Sequence, residues 1–245
     1  MTPQHEAPRR VRLNKGLVLR TAVSLADQAG IEGLTMRTLS HELGVVPMAL
    51  YKHVANKEEL LDGMVDIIFS EVEMPTGGPD WRSAMRRRAV SMREALARHR
   101  WAVGQMESRM RPGPANLRHH NAVMGCLRQA GFSFRTAIHT YTALDSYTYG
   151  YALQERTLPF DTPEESGTVA QQTLDRQPSA EVAAAEYPFL IEVVTELATT
   201  GYDHAAEFAI GLDLLLDGIE RLRPEWITPD AAVGPTGIEP MTSTV

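Results

Sequence analysis

The sequence predicts an all-α protein in which an amino-terminal three-helix unit is joined to a larger helical domain. Apolar residues recur at three- and four-residue spacing along most of the chain, and no stretch alternates apolar and polar residues as a half-buried strand would. The candidate helices also begin at cap residues and end at glycine or proline. With 245 residues, 43% of them hydrophobic, the chain has ample core for one large domain or two modest ones.

The first helix starts behind Asn14, a good N-cap, carries Val18, Ala22, Leu25, Ala26 and Ala29 on its inner side and stops at Gly30. Thr35 caps a second helix over 36–43, with Leu39 and Leu43 inward and Gly44 as terminator. A third starts near Pro47, because proline at the first helical position loses no hydrogen bond, and runs to about Val54 on the anchors Leu50 and Val54. Asn56 caps a fourth, with Glu59 placed for a capping box ahead of the stripe Leu60, Leu61, Met64, Ile67, Ile68 and Val72.

Asp80 caps the next helix, 81–99, and further helices are expected from Trp101 to before Pro112, over 115–130 and over 133–156. Residues 157–179 are rich in Pro, Thr, Glu, Asp and Gln, and are expected to form a mobile connection with at most a short helix near Val169. Apolar residues resume over 183–198, and a last helix is expected over 203–222. The last has Phe208, Leu212, Leu215 and Ile219 on one stripe and Ile210 and Leu214 on another, with Gly211 and Gly218 permitting close approach. Two apolar faces suit either a core contact plus a subunit contact or burial within one subunit. The tail, 224–245, has four prolines and no period and is expected to be disordered.

The net charge of −7 is unevenly spread. Residues 1–57 hold eight Lys or Arg against four acids, or +4, and the remainder holds 16 basic against 27 acidic groups, or −11. A basic head on an acidic body suits a molecule that touches phosphate with one end, although chance asymmetry gives the same numbers. The single cysteine, Cys126, excludes an internal disulfide and fits a reducing compartment. No apolar stretch approaches the roughly 18 residues of a membrane span, and the amino terminus has no secretory pattern, so the expected location is the cytoplasm without membrane contact.

Two short helices joined by a glycine-containing turn, behind a stabilising helix, have the layout of a helix-turn-helix, whose second helix enters the major groove of DNA. A small helical bundle with an αα-turn gives the same spacing. The residues narrow the choice: Gly33-Leu34-Thr35-Met36-Arg37-Thr38-Leu39, then Leu43-Gly44-Val45 and Leu50-Tyr51-Lys52-His53-Val54-Ala55-Asn56-Lys57, resemble the TetR family of bacterial regulators. The likeness is close over 13–72. It continues more loosely through Asp80-Trp81, Arg111-Pro112 and Gly131-Phe132-Ser133, which resemble the tetracycline-repressor branch.

The resemblance implies a helix-turn-helix DNA-binding domain with a basic arm over 1–57, a helical effector-binding and dimerisation domain over 58–223 and a tail over 224–245. It implies a homodimer whose paired readers grip a near-palindromic double-stranded DNA operator, and a small-molecule effector that shifts the fourth helix and changes the reader spacing. Thr35 resembles the residue whose hydroxyl and backbone N–H meet a phosphate at a helix start, beside its plain role as a cap. Arg37 resembles the position that reaches a base edge, a solvated arginine being the alternative. Pro47, Met48 and Ala49 stand at the recognition positions and offer no side-chain donor, so readout there is apolar, as against thymine methyl groups. Tyr51, Lys52, His53 and Lys57 resemble the phosphate clamp, with a core-facing or solvent-facing imidazole the other reading for His53. Arg9, Arg10 and Arg12 would add flexible backbone or minor-groove contacts.

For the effector, Met85, Met92, Met106, Met110, Val123, Met124 and Tyr141 either line a cavity or belong to an ordinary core, and Arg88, Glu107 and Asp145 fall at pocket positions that would orient a polar group. The histidines that hold the metal–drug complex in tetracycline-responsive members are replaced by Glu73 and by the Met106-Glu107 pair, which argues against tetracycline sensing. His119, His120 and Cys126 lack a metal-ligand spacing, since adjacent helical residues point apart, and no metal or other cofactor is expected. The rival classes are a helical protein-binding adaptor and a hydrolase using His119, His120 or Asp145. The chain has no Gly-x-Ser-x-Gly, no His-Glu-x-x-His and no phosphate loop.

Overall fold

The computed structural model describes residues 12–77, 80–106, 111–176 and 184–226, and the all-α expectation holds throughout them. The helices are α1 Lys15–Gly33, α2 Met36–Glu42, α3 Pro47–Leu50, α4 Lys57–Glu71, α5 Trp81–Arg98, α6 Ala102–Met106, α7 Pro114–Gln129, α8 Phe134–Glu155, α9 Pro163–Asp175, α10 Pro188–Thr200 and α11 His204–Trp226. Arg9, Arg10, Glu107, Met110 and the tail beyond 226 lie outside the described residues. Among those described, no helix is long and apolar enough to cross a membrane.

The chain divides into two compact units. One takes the described residues up to Val72 together with Glu94–His119, and the other takes Glu73–Arg93 together with the described residues from His120 onward. This grouping puts α4 with the reader helices.

In the first unit, α1 packs on α2 and α4, α2 on α3, and α4 on α6. The caps are those the sequence announces: Asn14 Oδ1 accepts from Leu17 N at 2.9 Å, and Asn56 Oδ1 from Glu59 N at 2.8 Å. Thr35 and Thr38 form a reciprocal capping box, threonine filling the place that Glu or Gln usually takes. Gly30 does not end α1. It adopts φ +75° within it as a kink, and the helix runs on to Gly33. Gly44, at φ +63°, makes the left-handed turn that closes α2 while Val45 N reaches back to Ser40 O at 3.0 Å. The third helix is shorter than expected, because after Leu50 the backbone closes into turns, with His53 N and Val54 N both donating to Leu50 O. Leu43 is only half-buried, so Leu39, Leu50 and Val54 carry the inner face.

Helix α4 is fastened at three levels within this unit. At its start, Glu59 accepts from Ala55 N at 2.7 Å and pairs with Lys15 of α1 at 2.5 Å. The lysine bond, followed by the backbone bond, holds the Glu59 carboxyl below its ordinary value. In the middle, Asp66 Oδ1 caps α7 by accepting from Ala115 N and Asn116 N at 2.8 and 2.9 Å. At its end, Glu71 meets Arg98 at 2.9 Å and His99 at 3.2 Å.

The second unit is centred on Trp81, Met85, Val123, Leu127, Phe132, Leu144, Phe208 and Leu212, with Trp81 and Phe132 edge to face at 4.9 Å. Cys126 is buried among them, and burial pushes its thiol up. Helix α11 packs on α8, and Arg86 of α5 forks onto Asp213 of α11 at 3.0 and 3.2 Å. Along α11, Phe208, Leu212, Leu216 and Ile219 are buried, while Ile210 is 55% and Leu214 68% exposed, so the helix has two apolar faces and one of them is open. It continues past the expected end at 222 to Trp226.

The expected mobile connection over 157–179 is corrected: α9 occupies 13 of its residues. Thr162 caps it, Pro163 stands at its first turn and Glu165 accepts from Asp161 N, the residue before the cap, at 2.8 Å, so these local bonds and the proline outweigh the polar composition. It pairs with α10, Gly167 letting the two backbones approach.

Replacing Asp66 with Ala removes both bonds to the start of α7 and should lower unfolding stability by about 1–2 kcal/mol, measured by urea denaturation; an unchanged midpoint would show that α7 is capped by other groups.

Candidate functional site

In the reader, the helix-turn-helix presents a continuous polar and apolar mixture from short elements. Thr35 and Arg37 at the start of α2 are exposed, as are Pro47, Met48, Tyr51, Lys52 and Lys57, while Ala49 and His53 are half-buried. Met48 is the telling residue. It is 71% exposed on a four-residue helix whose opposite side is locked by the fully buried Leu50, so an unbranched apolar side chain is held out in water by the packing of its neighbours. Thr35 differs in one respect from the sequence expectation: its backbone N–H already donates to Thr38 Oγ1 at 2.9 Å, which leaves the amides of Met36 and Arg37 as the outward donors of the helix start. Its hydroxyl, 3.1 Å from that of Thr38, keeps donor and acceptor capacity. Thr38 is exposed beside it and belongs to the same helix start. Its part was legible in its spacing three residues behind a threonine cap.

In the second unit, three of the residues expected at the effector site come together, and they do so in the interior. Arg88 of α5 is 1% exposed and its Nη1 lies 2.5 Å from Asp145 Oδ1 of α8. The guanidinium also stands 5.6 Å from the centre of the Tyr141 ring, and the Tyr141 hydroxyl meets His120 Nε2. Burial works against the Arg88 charge, and Asp145 outweighs it. Burial, then the charge of Asp145, pushes the hydroxyls of Tyr141 and Tyr149 well above the ordinary tyrosine value, so both remain donors. Tyr149 was missed in the sequence, and His120 was weighed there only as a metal ligand or hydrolase residue. Tyr149 had a signal, since Tyr141, Asp145 and Tyr149 recur at four-residue spacing on one stripe of α8.

The other expected effector residues are not gathered there by polar contacts. Met92 and Val123 are fully buried, Val123 within the hydrophobic core; Met106 is half-buried in the first unit; and Glu107 lies outside the described residues. A cleft of about 550 Å³ opens instead between α9 and α10, lined by Pro163, Gly167, Gln171, Ala198 and Gly201 among others, none of them an expected effector residue. Glu73 pairs its carboxylate with Arg87 at 2.9 Å.

Comparison with known proteins bears on both units. Residues 18–64 match the family model described as bacterial regulatory proteins, tetR family, and residues 74–223 match that of the tetracyclin repressor-like C-terminal domain. The tetracycline repressor protein class A from transposon 1721 of Escherichia coli is 31% identical over 86% of this chain and 93% of its own length. The HTH-type transcriptional repressor DrrR1 of Streptomyces coeruleorubidus is 32% identical over 84% of this chain and 76% of its own. Among solved structures, the TetR family protein ActR of Streptomyces coelicolor in complex with actinorhodin superposes with a TM-score of 0.69 at 27% identity, covering 86% of this chain and 98% of that one. With both parts matched in order by the family's own two domains, this chain belongs to the TetR family and is a DNA-binding transcriptional regulator with a ligand-binding carboxyl-terminal domain.

Proposed function

We propose that the protein is a homodimeric repressor whose two copies of α3 enter successive major grooves of a near-palindromic operator, and that a small molecule held in the second unit releases it. The observation that carries the reading is the exposure of Met48 on α3, together with the exposure of Arg37, Tyr51, Lys52 and Lys57 in the same unit. In this reading Pro47, Met48 and Ala49 meet base edges through apolar contact, and Arg37 adds a two-pronged contact to guanine. Thr35, Tyr51, Lys52, His53 and Lys57 meet phosphates and set the register. The spacing of two readers must match one helical turn of DNA, about 34–36 Å, or a multiple, so an effector that moves α4 would release the complex. Selection of bound duplexes from a random pool should return a palindrome, and an asymmetric consensus would refute the paired reader.

For the effector, Arg88, Tyr141 and Asp145 are the polar centre, with Met92 and Val123 of the same unit as further pocket residues. Because Arg88 and Asp145 neutralise one another, the centre favours an uncharged molecule that can exchange hydrogen bonds with phenolic hydroxyls over an anion or a cation. The class A relative is named for tetracycline and ActR is solved with actinorhodin, and both names accord with a ligand-controlled regulator. The loss of the metal-binding histidine at Glu73 separates this chain from metal–drug sensing.

Changing Lys52 and Lys57 together to Ala should weaken duplex binding with little regard to sequence and reduce the slope of log affinity against log salt by roughly two, about one per lost phosphate contact; a salt titration showing the original slope would rule out the clamp. Leu214→Glu, on the open stripe of α11, should convert the dimer into monomers in analytical ultracentrifugation, whereas a persisting dimer would place the seam elsewhere. Asp145→Leu should cost about 3–5 kcal/mol by stranding the buried guanidinium, and Arg88→Leu added to it should recover much of that loss. Urea denaturation of both variants checks the pair, and equal losses would mean that the charges do not depend on one another.

A further inference from the structure

Around the end of α5, one imidazole lies between two carboxylates from two other helices. His99, 8% exposed, places Nδ1 2.8 Å from Asp27 Oδ1 of α1 and Nε2 3.2 Å from Glu71 Oε2 of α4. A neutral imidazole carries one N–H, so it can donate to only one of them and must turn a lone pair on the other. Each facing carboxylate oxygen also accepts from a permanent donor. Asp27 Oδ1 accepts from the indole N–H of Trp101 at 2.7 Å, and Glu71 Oε2 accepts from Arg98 Nη2 at 2.9 Å. The charges agree with this count: Asp27 and Glu71 together balance Arg98 only if the ring is positive. Burial alone would raise the Glu71 carboxyl, yet the bonds from Arg98 and His99 hold it below its ordinary value.

We infer that His99 is a positioning residue, an imidazole with a hydrogen on each nitrogen that fastens α1 of the reader to the end of α4, so that the reader's attachment and its hold on DNA follow pH. The groups that face it are Asp27 from α1, Glu71 from α4, Arg98 from α5 and the Trp101 ring beyond, with the exposed Arg100 adjoining in sequence. With a hydrogen on each nitrogen the ring donates to both carboxylates at once, and with one hydrogen removed it can donate to only one of them. A loosened reader must be ordered again when it docks on DNA, which weakens binding. This extends the operator-binding reading, and its first two measurements need no DNA.

Side-chain nitrogen NMR of the full chain at about pH 6, with His99 assigned by the signals lost in His99→Gln, should show both ring nitrogens as N–H; one bare nitrogen would overturn the inference. Thermal unfolding of wild type and His99→Gln between about pH 5 and 8 should show a wild-type advantage in Tm that shrinks as pH rises, and parallel curves would also overturn it. If His99→Gln does not fold, Glu71→Gln, whose amide can pair with the ring nitrogen whether or not it carries a hydrogen, should lose the same pH-dependent advantage. With a duplex taken from the selected pool, the affinity ratio of wild type to variant should be several-fold larger at the acid end than at the alkaline end, and a constant ratio would refute the effect on DNA. Failure of both proteins to bind any duplex would strike the operator reading instead, with the nitrogen spectrum still deciding the bridge.

Discussion

Three carboxylates of α4, Glu59, Asp66 and Glu71, tie that helix to α1, to the start of α7 and to the end of α5, and the geometry of the reader depends on them. The apolar stripe of α4 buries Leu60, Leu61, Met64 and Ile68, which is non-directional and would tolerate sliding. Hydrogen-bonded carboxylates at the two ends and in the middle do not. They fix the rotation and height of the helix against α1, on which α2 also packs.

The second unit uses charge differently. Arg88 and Asp145 are taken out of water as a pair, an arrangement that often adds little net stability but makes the loss of either partner expensive. Around them, phenol rings with hydroxyls that resist ionisation supply donors without adding charge. The outer pairs Arg86–Asp213 and Arg87–Glu73 remain partly in water, where screening limits what they contribute. The same ion-pair chemistry therefore specifies an interior at one place and decorates a surface at another.

Much of the fold was legible because its signals are local. Asn14, Thr35 and Asn56 each mark a boundary through a bond to a residue three positions away, and Pro47 marks one through its fixed φ and missing N–H, so no knowledge of the fold is needed to read them. Helix α9 had such marks too, in Thr162, Pro163 and Glu165, and was hidden by the polar composition around them. The length of α3 was not legible, since Leu50 and Val54 sit as well on two successive turns as on one helix. In the site, exposed reader residues followed from which neighbours were anchors, and Arg88, Tyr141 and Asp145 from the family likeness. The bridge at His99 had no signal, because its partners stand 72 and 28 residues away and only the folded chain brings them together.

The solitary thiol of Cys126 is sealed in the hydrophobic interior and disinclined to ionise, which makes it a poor nucleophile. The molecule thus offers a silent background for chemistry at sulfur: a cysteine introduced at an exposed position, such as one on the reader, could take a spin label or fluorophore selectively without first removing the native one. Separations between paired copies could then be followed in solution as conditions change.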